Sequence, residues 1–264
     1  MTAARAEVRR RAMADHLLSI GAATTTELSE RFEVSAVTIH RDLVELERRG
    51  VVRRFHGGVT AQPSSTFESL LDYRLNSELE HKQAIAAAAL DHVHPGMSVL
   101  LDDSTTTLQL VPGLARRTPL TVATNFLRGL RELTTLQRDH DLEVIGIGGR
   151  YDPGHDSFGG LHATEQVRAM RVDAAFVSTA AVSATGIYYQ GDEIASLKRA
   201  MIDSAAATYL LVDHTKLHRE ALLRVARITE VTMVITDSDA DPERLAQWRR
   251  AGVACQVADV PTPT

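Results

Sequence analysis

Beyond residue 95 the chain alternates seven short apolar runs with longer amphipathic stretches, and that alternation constrains its fold more than any other feature. The candidate strands are 97–101, 120–123, 142–147, 172–178, 208–212, 231–236 and 253–257. Helical spacing fills the gaps over 105–114, 126–138, 164–170, 193–205 and 242–251, and precedes them over 78–92. Apolar runs of this length separated by helices predict a mostly parallel sheet covered on both faces. Such sheets take ligands beyond the carboxyl ends of their strands.

Residues 1–60 have a different texture, helical almost throughout. Val8, Ala12, Leu17 and Ile20 mark a first helix that Gly21 ends. Thr24 stands three residues before Glu27, the spacing of a capping box, ahead of a short helix burying Leu28 and Phe32. Ser35 caps a third helix in which Ile39, Leu43 and Leu46 turn inward and which Gly50 stops. The run Val51-Val-Arg-Arg-Phe-His-Gly-Gly-Val59 predicts a small hairpin. Thr60-Ala-Gln-Pro-Ser-Ser-Thr66 lacks periodicity and reads as linker. The expected organisation is a winged helix-turn-helix domain over 1–60, a linker over 61–74 and a larger α/β domain over 75–264.

Charge follows the same division. The first 60 residues hold ten Arg against eight acids, net +2, and the remainder holds 19 basic against 26 acidic residues, net −7. The overall charge of −5 excludes a uniformly basic nucleic-acid coat protein but leaves the head free to meet DNA. Cys255 is the only cysteine, which excludes an intrachain disulfide and a Cys-based zinc site and predicts a reducing, cytoplasmic setting. No apolar stretch is long enough to span a membrane, and the Arg-rich start lacks the apolar core of an export signal.

Two helices joined by Glu33-Val34 match the motif whose second helix enters the major groove. With the apolar positions inward, Val37, Thr38, His40 and Arg41 face out to read base edges or grip phosphates, with Ser35 at the same end. Arg53, Arg54 and His56 form the wing tip, and Arg10 and Arg11 supply phosphate contacts from the first helix. The competing reading is a three-helix packing unit with a solvated charged face. In the body, Leu101-Asp-Asp-Ser-Thr-Thr-Thr107 follows a strand and opens a predicted helix, so Ser104, Thr105 and Thr106 converge on an anion site. On that motif alone a phosphate site and a plain helix cap are equal readings. Thr124, Asn125, Gly148 and Gly149 stand at the ends of the next two strands, on the same edge. Gly146-Ile-Gly-Gly149 has the wrong spacing for a dinucleotide fingerprint, and no cofactor is expected. Asp102, Asn125 and Glu193 suit sugar hydroxyls, while Lys198 and Lys216 suit a phosphate dianion, although either lysine alone reads better as a surface cation.

Val34-Ser-Ala-Val-Thr-Ile-His-Arg-Asp-Leu43, Leu46-Glu47, Gly50 and Arg54-Phe-His-Gly-Gly58 together resemble the head of the DeoR family of bacterial transcription regulators. The body resembles the family over roughly residues 75–240. The resemblance implies a sensor fold shared with ribose-5-phosphate isomerase and CoA transferases and a phosphorylated sugar as effector. It places residues 102–106, Thr124, Asn125, Gly148, Gly149, Asp173, Lys198, Asp213 and Lys216 where the family pattern is densest. The chain departs from the pattern at His40, where members usually carry Arg, at Ser178-Thr-Ala-Ala-Val182, where they often have glycines, and at Tyr188-Tyr189.

The expected function is a repressor of a carbohydrate operon, binding double-stranded operator DNA as a homo-oligomer, dimer or tetramer, and answering to a sugar phosphate. The main alternative is a sugar-phosphate isomerase, which needs a general base beside the sugar. Asp173 is followed by Ala-Ala-Phe rather than a second acid, which counts against it. An RNA-binding or protein-interaction module is disfavoured because the basic head is poor in aromatics. His92 and His94 have ligand-like spacing, but Pro95-Gly96 follows at once and a solvated helix end is the better reading, so no metal site is expected.

Overall fold

The structure is a computed structural model that describes residues 2–55, 57–61, 71–217, 219 and 221–260. The chain divides into two compact units, residues 1–77 and 78–264.

The first unit runs α1 (Thr2–Ile20), β1 (Ala22–Thr24), α2 (Thr25–Phe32), α3 (Ala36–Arg48), β2 (Val52–Phe55), β3 (Gly58–Ala61) and α4 (Leu71–Asn76). Both predicted caps form. The Thr24 hydroxyl accepts from the Glu27 amide at 3.2 Å while Glu27 accepts from the Thr24 amide at 2.7 Å. Ser35 caps α3 by accepting from the Thr38 amide at 3.3 Å. Between them Glu33 takes φ +52°, which ends α2 and turns the chain into α3. β2 and β3 form the expected hairpin, and β1 pairs with β3 to complete an antiparallel sheet in the order β1-β3-β2. This is a winged helix-turn-helix.

Its core gathers Met13, Ala14, Leu17, Leu28, Ile39, Leu43, Leu46, Val51 and Val59. The face of α1 differs in part from the sequence expectation: Leu17 is buried as expected, but Val8, Ala12 and Ile20 are exposed, and Met13 and Ala14 point inward instead. The arginine run 9–11 displaces the apolar stripe, because Arg9 turns toward α3 to reach Asp42 at 2.6 Å. The expected linker is also shorter than drawn. Ala61 lies in β3, and residues 71–74 lie in α4, where Tyr73 packs against the head core. Residues 62–70 lie outside the described residues.

The second unit begins with α5 (Leu79–Ala89) and continues β4 (Ser98–Leu101), α6 (Val111–Leu114), β5 (Leu120–Thr124), α7 (Leu127–Leu136), β6 (Leu142–Gly146), the hairpin β7 (Arg150–Asp152) and β8 (Ser157–Gly159), α8 (Gly160–Arg168) and β9 (Val172–Val177). β10 (Ala181–Val182), β11 (Gly186–Tyr189), α9 (Asp192–Ser204), β12 (Ala205–Leu211), β13 (Leu223–Arg227), β14 (Met233–Asp237), α10 (Pro242–Arg250) and β15 (Ala254–Ala258) follow. All seven predicted strands join one parallel sheet in the order β15-β14-β12-β9-β4-β5-β6. The apolar runs become strands because each is short and the inner ones are buried on both faces, with helices returning the chain to the amino edge in most of the crossovers. The order reverses direction between β4 and β9, which creates a crevice at the carboxyl edge of those two strands. A small antiparallel sheet, β10-β11-β13, forms outside it. The buried Trp248 of α10 donates its indole N–H to the Ser183 carbonyl at 3.0 Å, just past β10.

Two outcomes test the head. Leu43→Ala empties a fully packed position and should cost about 2–5 kcal/mol, read as faster hydrogen exchange across α3. Arg49 and Arg10 hold the Glu7 carboxyl at about 2, and Arg48 and Arg49 hold Glu45 at about 2. Both shifts are depressions, so the stabilisation is complete above the ordinary carboxylate range and is lost as pH falls through about 2. Glu7→Gln should weaken head protection at neutral pH by a small, screened amount and make the head less sensitive to acid below pH 4, measured by the same exchange.

Candidate functional site

The head presents the outer face of α3. Val37 is 64% exposed, His40 and Arg41 are exposed, and Thr38 is half-buried through its 3.0 Å contact with the Ser35 hydroxyl. Ser35 and Thr38 are therefore capping residues first. Arg11 and Arg41 are exposed and, among the described residues, make no ion pair. Arg10 is committed to Glu7 at 2.7 Å, with Asp42 at 3.6 Å. Arg53 is exposed on the wing, and His56 lies outside the described residues. Arg54 donates to Glu47 at 2.6 Å and from Nη1 to His40 Nε2 at 3.3 Å. A guanidinium only donates, so the His40 ring accepts at Nε2 and carries its one N–H on Nδ1.

In the second unit the crevice at the sheet reversal is occupied by an ion-pair centre. Asp102, just past β4, is fully buried and accepts from the Lys198 ammonium of α9, the Ser178 amide past β9 at 2.7 Å, the Ser104 amide at 3.0 Å and the Thr107 hydroxyl at 2.8 Å. Lys198, whose side chain is 4% exposed, also donates to Asp103 at 3.3 Å and sits 5.2 Å from the Tyr189 ring centroid. Ser157 of β8 donates to Asp103 at 2.8 Å. In this structure the lone pairs of Asp102 are spent on the loop, on Ser178 and on Lys198, and Lys198 is paired with two carboxylates.

Beside this centre opens a cleft of about 260 Å³. Asp103, Asn125, Arg150, Ser157, Glu193 and Leu197 are among its walls. The Asn125 amide nitrogen donates to the Phe158 carbonyl at 2.9 Å, while its buried Oδ1 has no hydrogen-bond partner among the described residues. Arg150, whose side chain is 73% exposed, pairs with Glu193 across the cleft wall. The hydroxyls of Thr105 and Thr106 lie in the adjoining loop, buried with their residues.

Several expected residues do other work. The predicted helix over 105–114 is a 3-10 turn, Thr107–Leu110, followed by the four-residue α6, so it offers little dipole to an anion. Ser104 caps that turn, its hydroxyl accepting from the Thr107 amide at 3.0 Å. Thr124 accepts from the Phe126 amide at 3.1 Å. Gly148 is held by Gln166, and a Cβ on Gly149 would lie 2.4 Å from the Gly159 carbonyl, so these glycines let β6 pass close to β8 and α8. Asp173 belongs to the opposite edge of the sheet. It is the second residue of β9 and accepts from the Ser98 amide and hydroxyl at 2.7 Å each, about 13 Å of strand away from the Asp102 end. Lys216 follows β12, beyond β9 from the cleft, where it and Lys82 overcome the burial that would raise the Asp213 carboxyl and bring it to about 2. His92 stacks on Tyr209 and contacts Gln256 at 2.8 Å, so it forms no ligand pair with the exposed His94.

Arg150, Ser157 and Leu197 were not visible as site residues in the sequence, although Arg150 directly follows Gly148-Gly149. A carboxylate pair does exist, but at Asp102-Asp103 and not at Asp173, and the lone pairs of Asp102 are all engaged below the cleft floor. Among the described residues no helix is long and apolar enough to cross a membrane.

Comparison with known proteins agrees with both halves. The DeoR-like helix-turn-helix domain matches residues 9–65, and the DeoR C terminal sensor domain matches residues 77–238. The transcriptional repressor AccR of Agrobacterium fabrum is 32% identical over 85% of this chain and 84% of its own length. The L-fucose operon activator of Haemophilus influenzae is 26% identical over 92% of this chain and 93% of its own. A solved ribose 5-phosphate isomerase A from Methanocaldococcus jannaschii is similar with a TM-score of 0.40 at 16% identity, over 53% of this chain and 55% of that one. The chain belongs to the DeoR family and is a DNA-binding transcription regulator, not an enzyme.

Proposed function

We propose that the protein represses a carbohydrate operon and that a phosphorylated sugar entering the cleft changes its affinity for operator DNA. The observation that carries the effector class is the pairing, in one cleft, of a buried carbonyl oxygen lacking a donor, Asn125 Oδ1, with an exposed guanidinium, Arg150. A sugar hydroxyl satisfies the first, and a phosphate competes with Glu193 for the second. Released from Arg150, the Glu193 carboxylate is then free to accept from a further hydroxyl. Of the relatives named above, the L-fucose operon activator supports the carbohydrate context and the repressor AccR supports the direction of regulation.

In this reading α3 enters the major groove with Val37, His40 and Arg41 toward base edges, and Arg11, Arg53 and the wing follow the backbone. One small head buries too little DNA for tight binding, so the protein acts as a symmetric oligomer on a two-fold operator, in the cytoplasm where that DNA lies. An effector preferring one state by about 1–3 kcal/mol shifts operator affinity roughly 5- to 150-fold.

Arg41→Ala should weaken binding to DNA from the chain's own operon by about 5- to 150-fold, as expected for a base contact worth about 1–3 kcal/mol, without changing the circular dichroism spectrum. Unchanged fluorescence anisotropy with a labelled operator would remove Arg41 from the reading face. Arg150→Ala should leave effector-free operator binding intact and lower the affinity for sugar phosphates in calorimetry. Equal binding of phosphorylated and unphosphorylated sugars by the parent protein would sink the assignment of effector class.

A further inference from the structure

At the carboxyl edge of the sheet, on the far side of β9 from the cleft, one nitrogen each from His81 and His214 and one oxygen each from Asp237 and Asp239 lie within 4.8 Å of one another. The four arrive from three elements: His81 from the first turn of α5, His214 from the turn after β12, and the two aspartates from the end of β14 and the turn beyond it. We propose that they form a binding site for a divalent transition-metal ion of the zinc type, with two imidazoles and two carboxylates as ligands.

Three observations carry this. The first concerns His81, whose Nδ1 lies 3.0 Å from the Glu78 carboxylate and whose Nε2 lies 3.1 Å from the Asp239 carboxylate. Both ring nitrogens thus face a carboxylate, so the ring calls for positive charge on each side, which a second ring proton or a metal ion at one nitrogen supplies. A metal ion between Nε2 and Asp239 supplies that charge, with Glu78 holding the Nδ1 proton as carboxylates do behind metal-bound histidines.

The second is the fixed geometry of Asp237. It is fully buried, and its oxygens accept from the His214 amide at 2.8 Å and the Asp239 amide at 3.0 Å. Its Oδ1 also lies 3.0 Å from His214 Nδ1, and the His81 and His214 rings are 4.9 Å apart at their centroids. Backbone donors therefore pre-set a carboxylate between two imidazoles. The third is charge. Glu78, Asp213, Asp237 and Asp239 lie about the two rings, four acids against the three cations, Lys82, Lys216 and Arg219, whose charge acts on Asp213. The local excess is negative, as a dication requires.

The spacing is close to what the ion needs. Zinc takes nitrogen and oxygen ligands at about 2.0–2.2 Å, which places tetrahedral ligand atoms about 3.3 Å apart, so the less buried members of the set must draw in toward the fixed Asp237. Two imidazoles with two carboxylates favour zinc over magnesium or calcium, which take oxygen ligands almost exclusively. When bound, the ion fastens the first turn of α5 to the loops that follow β12 and β14.

The test uses the full chain after removal of metal by chelator. Zinc titrated against a chromogenic chelator at neutral pH should show one tight equivalent per chain and raise the thermal midpoint, whereas magnesium should do neither. His81→Gln and Asp239→Asn alter side chains near the rim of the cluster, so both variants should keep the parent circular dichroism spectrum. Each should lose the tight equivalent, with at least about a tenfold fall in affinity, and lose the zinc-dependent thermal shift. Absence of a tight equivalent in the parent chain, or its survival in either variant, overturns the proposal.

Discussion

The buried contact between Asp102 and Lys198 is the constraint around which the second unit is arranged. Two opposite charges taken out of water are tolerated only when every lone pair and proton finds a partner. Asp102 meets that condition with four donors drawn from the loop after β4, the end of β9 and α9. The pair therefore closes the crevice that the strand order opens, and it fixes how α9 lies over the sheet. Losing one partner alone leaves an unmatched buried charge, a penalty of about 3–5 kcal/mol. The cleft opens one residue further on because Asp103, unlike its neighbour, shares Lys198 at longer range and turns toward Ser157 and the cleft wall.

Much of the fold was legible in the sequence because burial on both faces writes itself as short apolar runs. Every such run became a strand of the main sheet, and the caps at Thr24 and Ser35 formed because their hydroxyls sit at fixed offsets from orphan amides. The β7-β8 hairpin and the β10-β11-β13 sheet were not legible. Their strands are short and the register of β11 with β13 depends on residues far apart in the chain. The inward face of α1 was misplaced because apolar spacing alone could not show that Arg9 would turn toward Asp42.

The site was read less completely than the fold, for a related reason. The residues on the strand ends were found, but whether each faces a ligand or its own backbone depends on partners that arrive from elsewhere. Ser104 and Thr124 spend their hydroxyls on local amides, and Lys198 is claimed by acids about a hundred positions earlier in the chain. Asp173 is instructive in the other direction. The run over 172–178 already put it at the start of a strand, and so at the wrong edge of a parallel sheet; family resemblance, not pattern, brought it into the expected site. Half of the head's ten arginines are likewise engaged internally: Arg9, Arg10, Arg48, Arg49 and Arg54 all pair with head carboxylates.

The bond from Arg54 to His40 ties the wing to the helix beside it. Because that bond assigns the ring proton to Nδ1, the wing decides which nitrogen of His40 offers a hydrogen and which a lone pair. A base presenting an acceptor is matched by the first and rejected by the second. On the proposed placing of α3 against DNA, what His40 offers is set jointly by two segments of chain. A change at Arg54 then alters it without touching any residue of α3.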